Sequence, residues 1–201
     1  MKTLSTVTLI LFFSLCFVCT TAYPQGTETL LSSDTTFSSM WSPGLTLNSI
    51  QKNIGSVLDI YWGGVINRTI ILGIGGAANL SHTVTNFGYL QLLAQYVPEP
   101  DKLLHYGGEV VLGLGSVKDY EHPKTNLFDN FLNISGAAFY FVEPRLNGEL
   151  NITKSAKLVL GLGYTFAFGL DEQNKNIVIS KLTNKDLSGV RVLIGVKLGK
   201  Y

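Results

Sequence analysis

Seven charged residues are spaced so that, on extended backbone, they share one face and leave large apolar residues on the other: Asp59, Glu109, Glu143, Arg145, Glu149, Arg191 and Lys197. Successive side chains of a strand point to opposite faces, so parity along the chain decides which groups can meet. Four acids and three bases on one enclosed face have two chemical uses. They can pair into a structural plug, because an unpaired buried charge is costly. Alternatively they can line a gated or very narrow path for ions or small solutes.

Nucleophilic chemistry has weaker support. Of the three histidines, His82 and His122 fall in polar connections and His105 near one end of a strand-like segment. Ser81-His82 with Asp119 or Glu121 supplies the residue types of an acyl-transfer triad, but no motif spacing accompanies them, and solvated loop residues are the simpler reading. Three Gly-x-Gly patterns, at Gly73, Gly113 and Gly161, lie inside strand-like segments and not between a strand and a helix, so they read as packing glycines. No metal or cofactor is expected. The triplets at Asn67, Asn79, Asn133 and Asn151 are what an Asn-, Ser- and Thr-rich chain yields by chance.

The elements that must carry these residues show themselves in residues 157–170, K-L-V-L-G-L-G-Y-T-F-A-F-G-L. Leu158, Leu160, Leu162, Tyr164, Phe166, Phe168 and Leu170 alternate with Val159, Gly161, Gly163, Thr165, Ala167 and Gly169. Bulky-apolar against small is the contrast expected of a strand with lipid outside and a narrow interior inside. Gly161, Gly163, Ala167 and Gly169 then leave room for Arg145, Glu149, Arg191 and Lys197 sent in by neighbouring strands. Seven other segments follow the same template: residues 37–50, 55–67, 68–81, 86–97, 102–117, 134–152 and 188–201. Pro43 and Pro144 demand a bulge or local break, since proline cannot donate to a ladder; residues 134–152 are taken as one bent strand. The links after the second, fourth and sixth strands are short, whereas residues 118–133 and 171–187 are long and polar. Short turns on one side and longer loops on the other are characteristic of membrane barrels.

Composition agrees. Charged residues make up 14% and hydrophobic ones 46%, against about 25% charged in a soluble domain. Residues 1–22 are expected to be an export signal: Lys2, an apolar run from Val7 to Val18, and Thr20-Thr21-Ala22 for cleavage before Tyr23. Both cysteines, Cys16 and Cys19, lie within it, and Leu15 and Val18 before them do not suit lipid attachment. The remaining chain has no disulfide. Residues 23–36 are expected to be a flexible lead-in, and residues 37–201 the barrel. With 15 Lys and Arg against 14 Asp and Glu, and no basic patch, nothing points to nucleic acid.

The pattern F-Y-F-V-E-P-R-L-N-G-E-L-N-I-T from Phe139, the L-G-L-G-Y of residues 160–164 and the terminal D-L-S-G-V-R-V-L-I-G-V-K-L-G-K-Y resemble small outer-membrane barrels of Gram-negative bacteria. The chain is similar to the OmpA-like and OmpX-like class, in particular to Bacteroidota-type porin-like proteins. The resemblance implies an all-β fold: an eight-stranded antiparallel up-and-down transmembrane β-barrel with a filled lumen and both termini in the periplasm. It also implies outer-membrane lipid as surroundings and insertion by the barrel-assembly machinery, which reads a final strand ending in an aromatic residue. Tyr201 fits, although it sits on the opposite parity from Val190 to Leu198.

The expected function is non-enzymatic, a structural or surface-interaction role carried by the outer loops. Tyr120 and Phe128 in one loop, and Ile177 and Ile179 in the other, are the candidate contacts for an extracellular protein or surface ligand, since a protruding β edge can capture a partner by strand addition. The alternatives are a narrow channel and, less favoured, a soluble lipocalin-like lipid binder, which would need the opposite polarity.

Overall fold

Eight strands close on themselves in sequence order: β1 (Phe37–Ile50), β2 (Asn53–Ile66), β3 (Ile70–Asn79), β4 (Asn86–Tyr96), β5 (Leu104–Lys118), β6 (Ala137–Thr153), β7 (Ala156–Phe168) and β8 (Gly189–Gly199). The computed structural model describes residues 35–50, 53–80, 86–118, 137–171 and 182–200. Every neighbouring pair is antiparallel, and β1 pairs with β8 to leave no edge. Even the shortest strand, β3 with 10 residues, rises by roughly 23 Å at a tilt of ~45°, close to the height of an apolar membrane band.

The alternation in sequence becomes a sorting between inside and outside. Leu72, Ile74, Leu92, Leu112, Leu146, Leu160, Leu162 and Ile194 all face outward and are exposed. Phe37, Tyr96 and Tyr106 lie toward the end where the termini emerge, and Tyr140 and Phe168 face each other near the opposite end. Aliphatic residues between two aromatic fringes are the exterior of a barrel that sits in lipid. No helix among the described residues is long and apolar enough to cross a membrane.

Both prolines are absorbed without a change of register. On β1, Trp41 pairs with Leu198 and Gly44 with Gly195, so the ladder to β8 skips Ser42 and Pro43. On β6, Val142 pairs with Phe166 and Arg145 with Gly163, so the ladder to β7 skips Glu143 and Pro144. The opposite edge of each strand stays paired, with Pro43 against Ile60 and Pro144 against Val110. β6 is therefore one strand, as expected.

The turn between β2 and β3 is tight. Asn67 and Arg68 both take positive φ, 49° and 61°, as in the two-residue turns that suit strand twist and favour Asn followed by Gly. Asn67 also ties down the start of β1, accepting through Oδ1 from the Thr36 amide at 3.0 Å.

The end of β7 departs from the sequence expectation. The strand stops at Phe168, and Gly169, at φ 92°, turns the chain inward. Leu170, expected on the lipid face, is fully buried. Gly169 is therefore small because its backbone is left-handed, not because it makes room for lumen charges. The return to β8 contains a short helix, α1 (Asn184–Leu187), with Thr183 and Asp186 forming a reciprocal capping box. Asn184 fastens it to the strand end, accepting from the Leu170 amide at 2.8 Å, while its own amide donates to Asp171 at 2.8 Å. Leu170, Leu182 and Leu187 join Val57, Phe87, Val117 and Ala137 in one apolar cluster at that end of the lumen.

Candidate functional site

The seven sequence-predicted charges all lie in the lumen and are all buried, none more than 5% exposed. They form two tiers beneath the apolar cap. The middle tier is organised by β6, where Glu143 and Arg145 sit two residues apart and so share the inward face. Arg145 places Nη2 2.6 Å and Nε 2.9 Å from Glu143 Oε1. Its Nη1 lies 3.0 Å from Glu109 Oε1, on the β5 residue directly opposite. The second Glu143 oxygen accepts from Thr165 Oγ1 at 2.9 Å and lies 3.4 Å from Arg191 Nη1. Arg191 donates to Tyr89 Oη at 2.9 Å and lies over the Tyr89 and Phe141 rings. Tyr89 donates on to Asp59 at 3.3 Å, and Gln91 donates to the same Asp59 oxygen at 3.1 Å. Asn147 donates to Glu109 at 2.9 Å. The chain Glu109, Arg145, Glu143, Arg191, Tyr89, Asp59 thus crosses the lumen from β5 to β2.

The lower tier, toward the termini, centres on Glu149. Its Oε1 takes Lys197 at 2.5 Å and Gln95 at 2.7 Å. Its Oε2 lies 3.2 Å from His105 Nε2 and 3.6 Å from Lys157. His105 Nδ1 lies 2.9 Å from the Lys102 carbonyl and therefore donates to it. Sequence reasoning missed Lys157 and placed His105 near a strand end without a role. The signal was present: both share the inward parity of their strands, Lys157 with Gly161 and His105 with Glu109. Adding Lys157 brings the buried Lys and Arg to four, against four buried Asp and Glu.

The upper tier is aromatic. Tyr89 meets Phe141 edge-on at 4.9 Å, and Phe87 and Phe139 extend the group. The rings fit because β5 presents glycine opposite each: a Cβ on Gly113 would stand 2.0 Å from Phe141, and one on Gly115 2.5 Å from Phe139. Gly161 and Gly163 play the same part beneath Arg145, within 3.2 Å of its side chain had they a Cβ. These two answer the expected reason for the small face of β7.

Chemically, the tiers hold shape. Buried charge needs partners, and most of these groups have them, although Asn48 Oδ1 and Asn147 Oδ1 have no hydrogen-bond donor. His105 is partnered by Lys102, Glu149 and Lys157. Ser81, His82, Asp119, Glu121 and His122, and the loop candidates Tyr120, Phe128, Ile177 and Ile179, lie outside the described residues. No group of His, Cys, Asp and Glu side chains among the described residues is arranged to hold a metal ion.

No family model matches the chain, and no curated protein matches it. Solved structures do. The N-terminal β-barrel domain of Pseudomonas aeruginosa OprF aligns with a TM-score of 0.55 at 10% identity, covering 81% of this chain and 96% of that one. Neisserial surface protein A aligns at 0.46 and 15% identity over 83% and 99%, and Ail of Yersinia pestis at 0.37 and 9% over 82% and 94%. At such identity the likeness to the OprF domain is one of fold, and by that fold the chain is an eight-stranded antiparallel up-and-down β-barrel.

Proposed function

We propose that this chain is an integral outer-membrane protein whose work is done by its outer connections, with the barrel as a rigid, non-conducting, non-catalytic anchor. The observation that supports this is the filled lumen. Charges pair across it in two tiers, and Phe87, Phe139, Leu170, Leu182 and Leu187 close the end away from the termini. An eight-stranded barrel has an interior just wide enough for side chains to fill, and here they do. The exposed aliphatic belt supports a lipid environment, and it opposes a lipocalin-like binder, whose apolar residues would face inward.

A narrow conduction path is the competing reading. It is favoured by buried lumen oxygens without a hydrogen-bond donor, such as Asn48 Oδ1 and Asn147 Oδ1, where water could stand. The apolar cap lies across any such path and weighs against it.

Display of the outer connections is tested by labelling. Beyond Cys19 the chain has no cysteine, so Tyr120→Cys and Ser155→Cys each give a single site in the exported protein. A membrane-impermeant maleimide on intact cells should modify the first and spare the second. Labelling of Ser155→Cys alone would invert the topology and defeat the proposal.

A further inference from the structure

We propose that a groove on the outer wall, centred on Pro144, is a binding site for an acyl chain that carries a hydroxyl group. The proposal rests on that wall facing lipid, and not on what the outer connections do.

Pro144 leaves one backbone group unserved. Val142 pairs with Phe166 and Arg145 with Gly163, so continued register sets Pro144 opposite Tyr164. A Cβ on Gly163 would stand 3.0 Å from the Pro144 carbonyl oxygen, which therefore points at β7. In an antiparallel ladder the N–H and C=O of one residue serve the same neighbour, so the Pro144 nitrogen faces β7 too. It carries no hydrogen. The Tyr164 carbonyl thus lacks the donor that this rung of the ladder would give it. The β5 edge loses nothing, since Pro144 stays paired with Val110 there. In a hydrocarbon layer without water an unserved backbone acceptor on the wall is costly, and a bound donor is favoured.

The wall is also shaped for a guest at this point. A cavity of about 570 Å³ lies over the gap, lined on its outer side by Gly108, Val110, Pro144, Leu146, Leu162 and Tyr164, a volume ordinary for a ligand pocket. Glu109 and Arg145 border it too, but their side chains meet each other in the lumen. Gly108 forms the floor, where an added Cβ would meet nothing within 4 Å. Val110, Leu146, Leu162 and Tyr164 stand exposed around it. The Tyr164 ring is steadied by Phe166 at 4.7 Å. A run of methylenes suits this lining, and a single hydroxyl on the chain can donate to the Tyr164 carbonyl. An unsubstituted chain fills the groove and leaves that oxygen unserved.

The test uses the full exported chain in neutral maltoside micelles, equilibrated with equal amounts of methyl myristate and its analogue hydroxylated on the third carbon. Protein is separated by gel filtration, and the two esters are extracted and counted by mass spectrometry against protein-free micelles. The parent should enrich the hydroxylated ester by about fivefold, the worth of one neutral hydrogen bond. Pro144→Ala supplies the missing N–H and should abolish that preference; alanine is accepted in a strand, so the barrel stays folded. Tyr164→Phe keeps the carbonyl and should keep the preference. Gly108→Leu enters open space and should lower retention of both esters. Equal retention by the parent, a preference that survives Pro144→Ala or disappears with Tyr164→Phe, or no effect of Gly108→Leu overturns the proposal. The lipid-facing wall itself is judged separately, by folding of Leu160→Arg into vesicles.

Discussion

Lys157 on β7 and Lys197 on β8 are direct cross-strand partners, and both point into the lumen. Like charges so placed are destabilising. What reconciles them is Glu149 on β6, which reaches Lys197 at 2.5 Å and Lys157 at 3.6 Å. Three strands are thereby tied by one carboxylate.

Glu149→Gln should accordingly be the most damaging single change in the lower tier. It leaves two opposed ammonium groups without an acid, and breaking a buried pair costs ~3–5 kcal/mol. Urea unfolding in micelles should show it. The double variant Glu149→Gln with Lys197→Gln should be less unstable than the sum of the two single changes, because the partners are in contact. Additive losses would mean that the pairing carries no coupling.

Gly113 should not accept alanine. The added Cβ would stand 2.0 Å from Phe141, and overpacking of this kind typically costs ~1–3 kcal/mol. Phe141→Leu in the same chain should recover part of that loss, which unfolding midpoints of the three proteins would reveal. A Gly113→Ala barrel as stable as the parent would mean the ring is not held over the glycine.

Leu160→Arg probes the lipid face. Leu160 is exposed between Leu158 and Leu162 on the outward side of β7. A charge near the bilayer midplane of a barrel costs ~2–4 kcal/mol, so folding into lipid vesicles should weaken by that amount. On a water-facing surface the same change would be nearly neutral.

The N-terminus makes a separate prediction. Protein recovered from the membrane fraction should begin at Tyr23, read by N-terminal sequencing, since the residues before it have the layout of an export signal. Recovery of protein that begins at Met1 would remove that expectation.

Much of this architecture was legible in the sequence because a barrel strand has period two and opposite solvents on its faces. That pattern alone placed Asp59, Glu109 and Arg145 inside and Leu112 and Leu160 outside. It also kept the register through Pro144, since a proline can leave one ladder and stay in the other. Pairing partners were not legible. Which acid meets which base depends on the stagger between strands, so the union of Glu149 with His105 and Lys157 could not be read from parity. The turn at Gly169 was hidden for a different reason: Leu170 continues the alternation by type, and only the left-handed backbone before it sends the chain inward. The capping box at Thr183 and Asp186 was readable as a motif, but it stands within a long polar connection.

The central claim is that the lumen is closed by its own side chains. Single-channel recording in planar bilayers tests it most directly. Folded protein inserted at known density should give no current above the bare-membrane leak across the accessible voltage range. Discrete, reproducible openings would contradict the account and establish the charged tiers as the lining of a path.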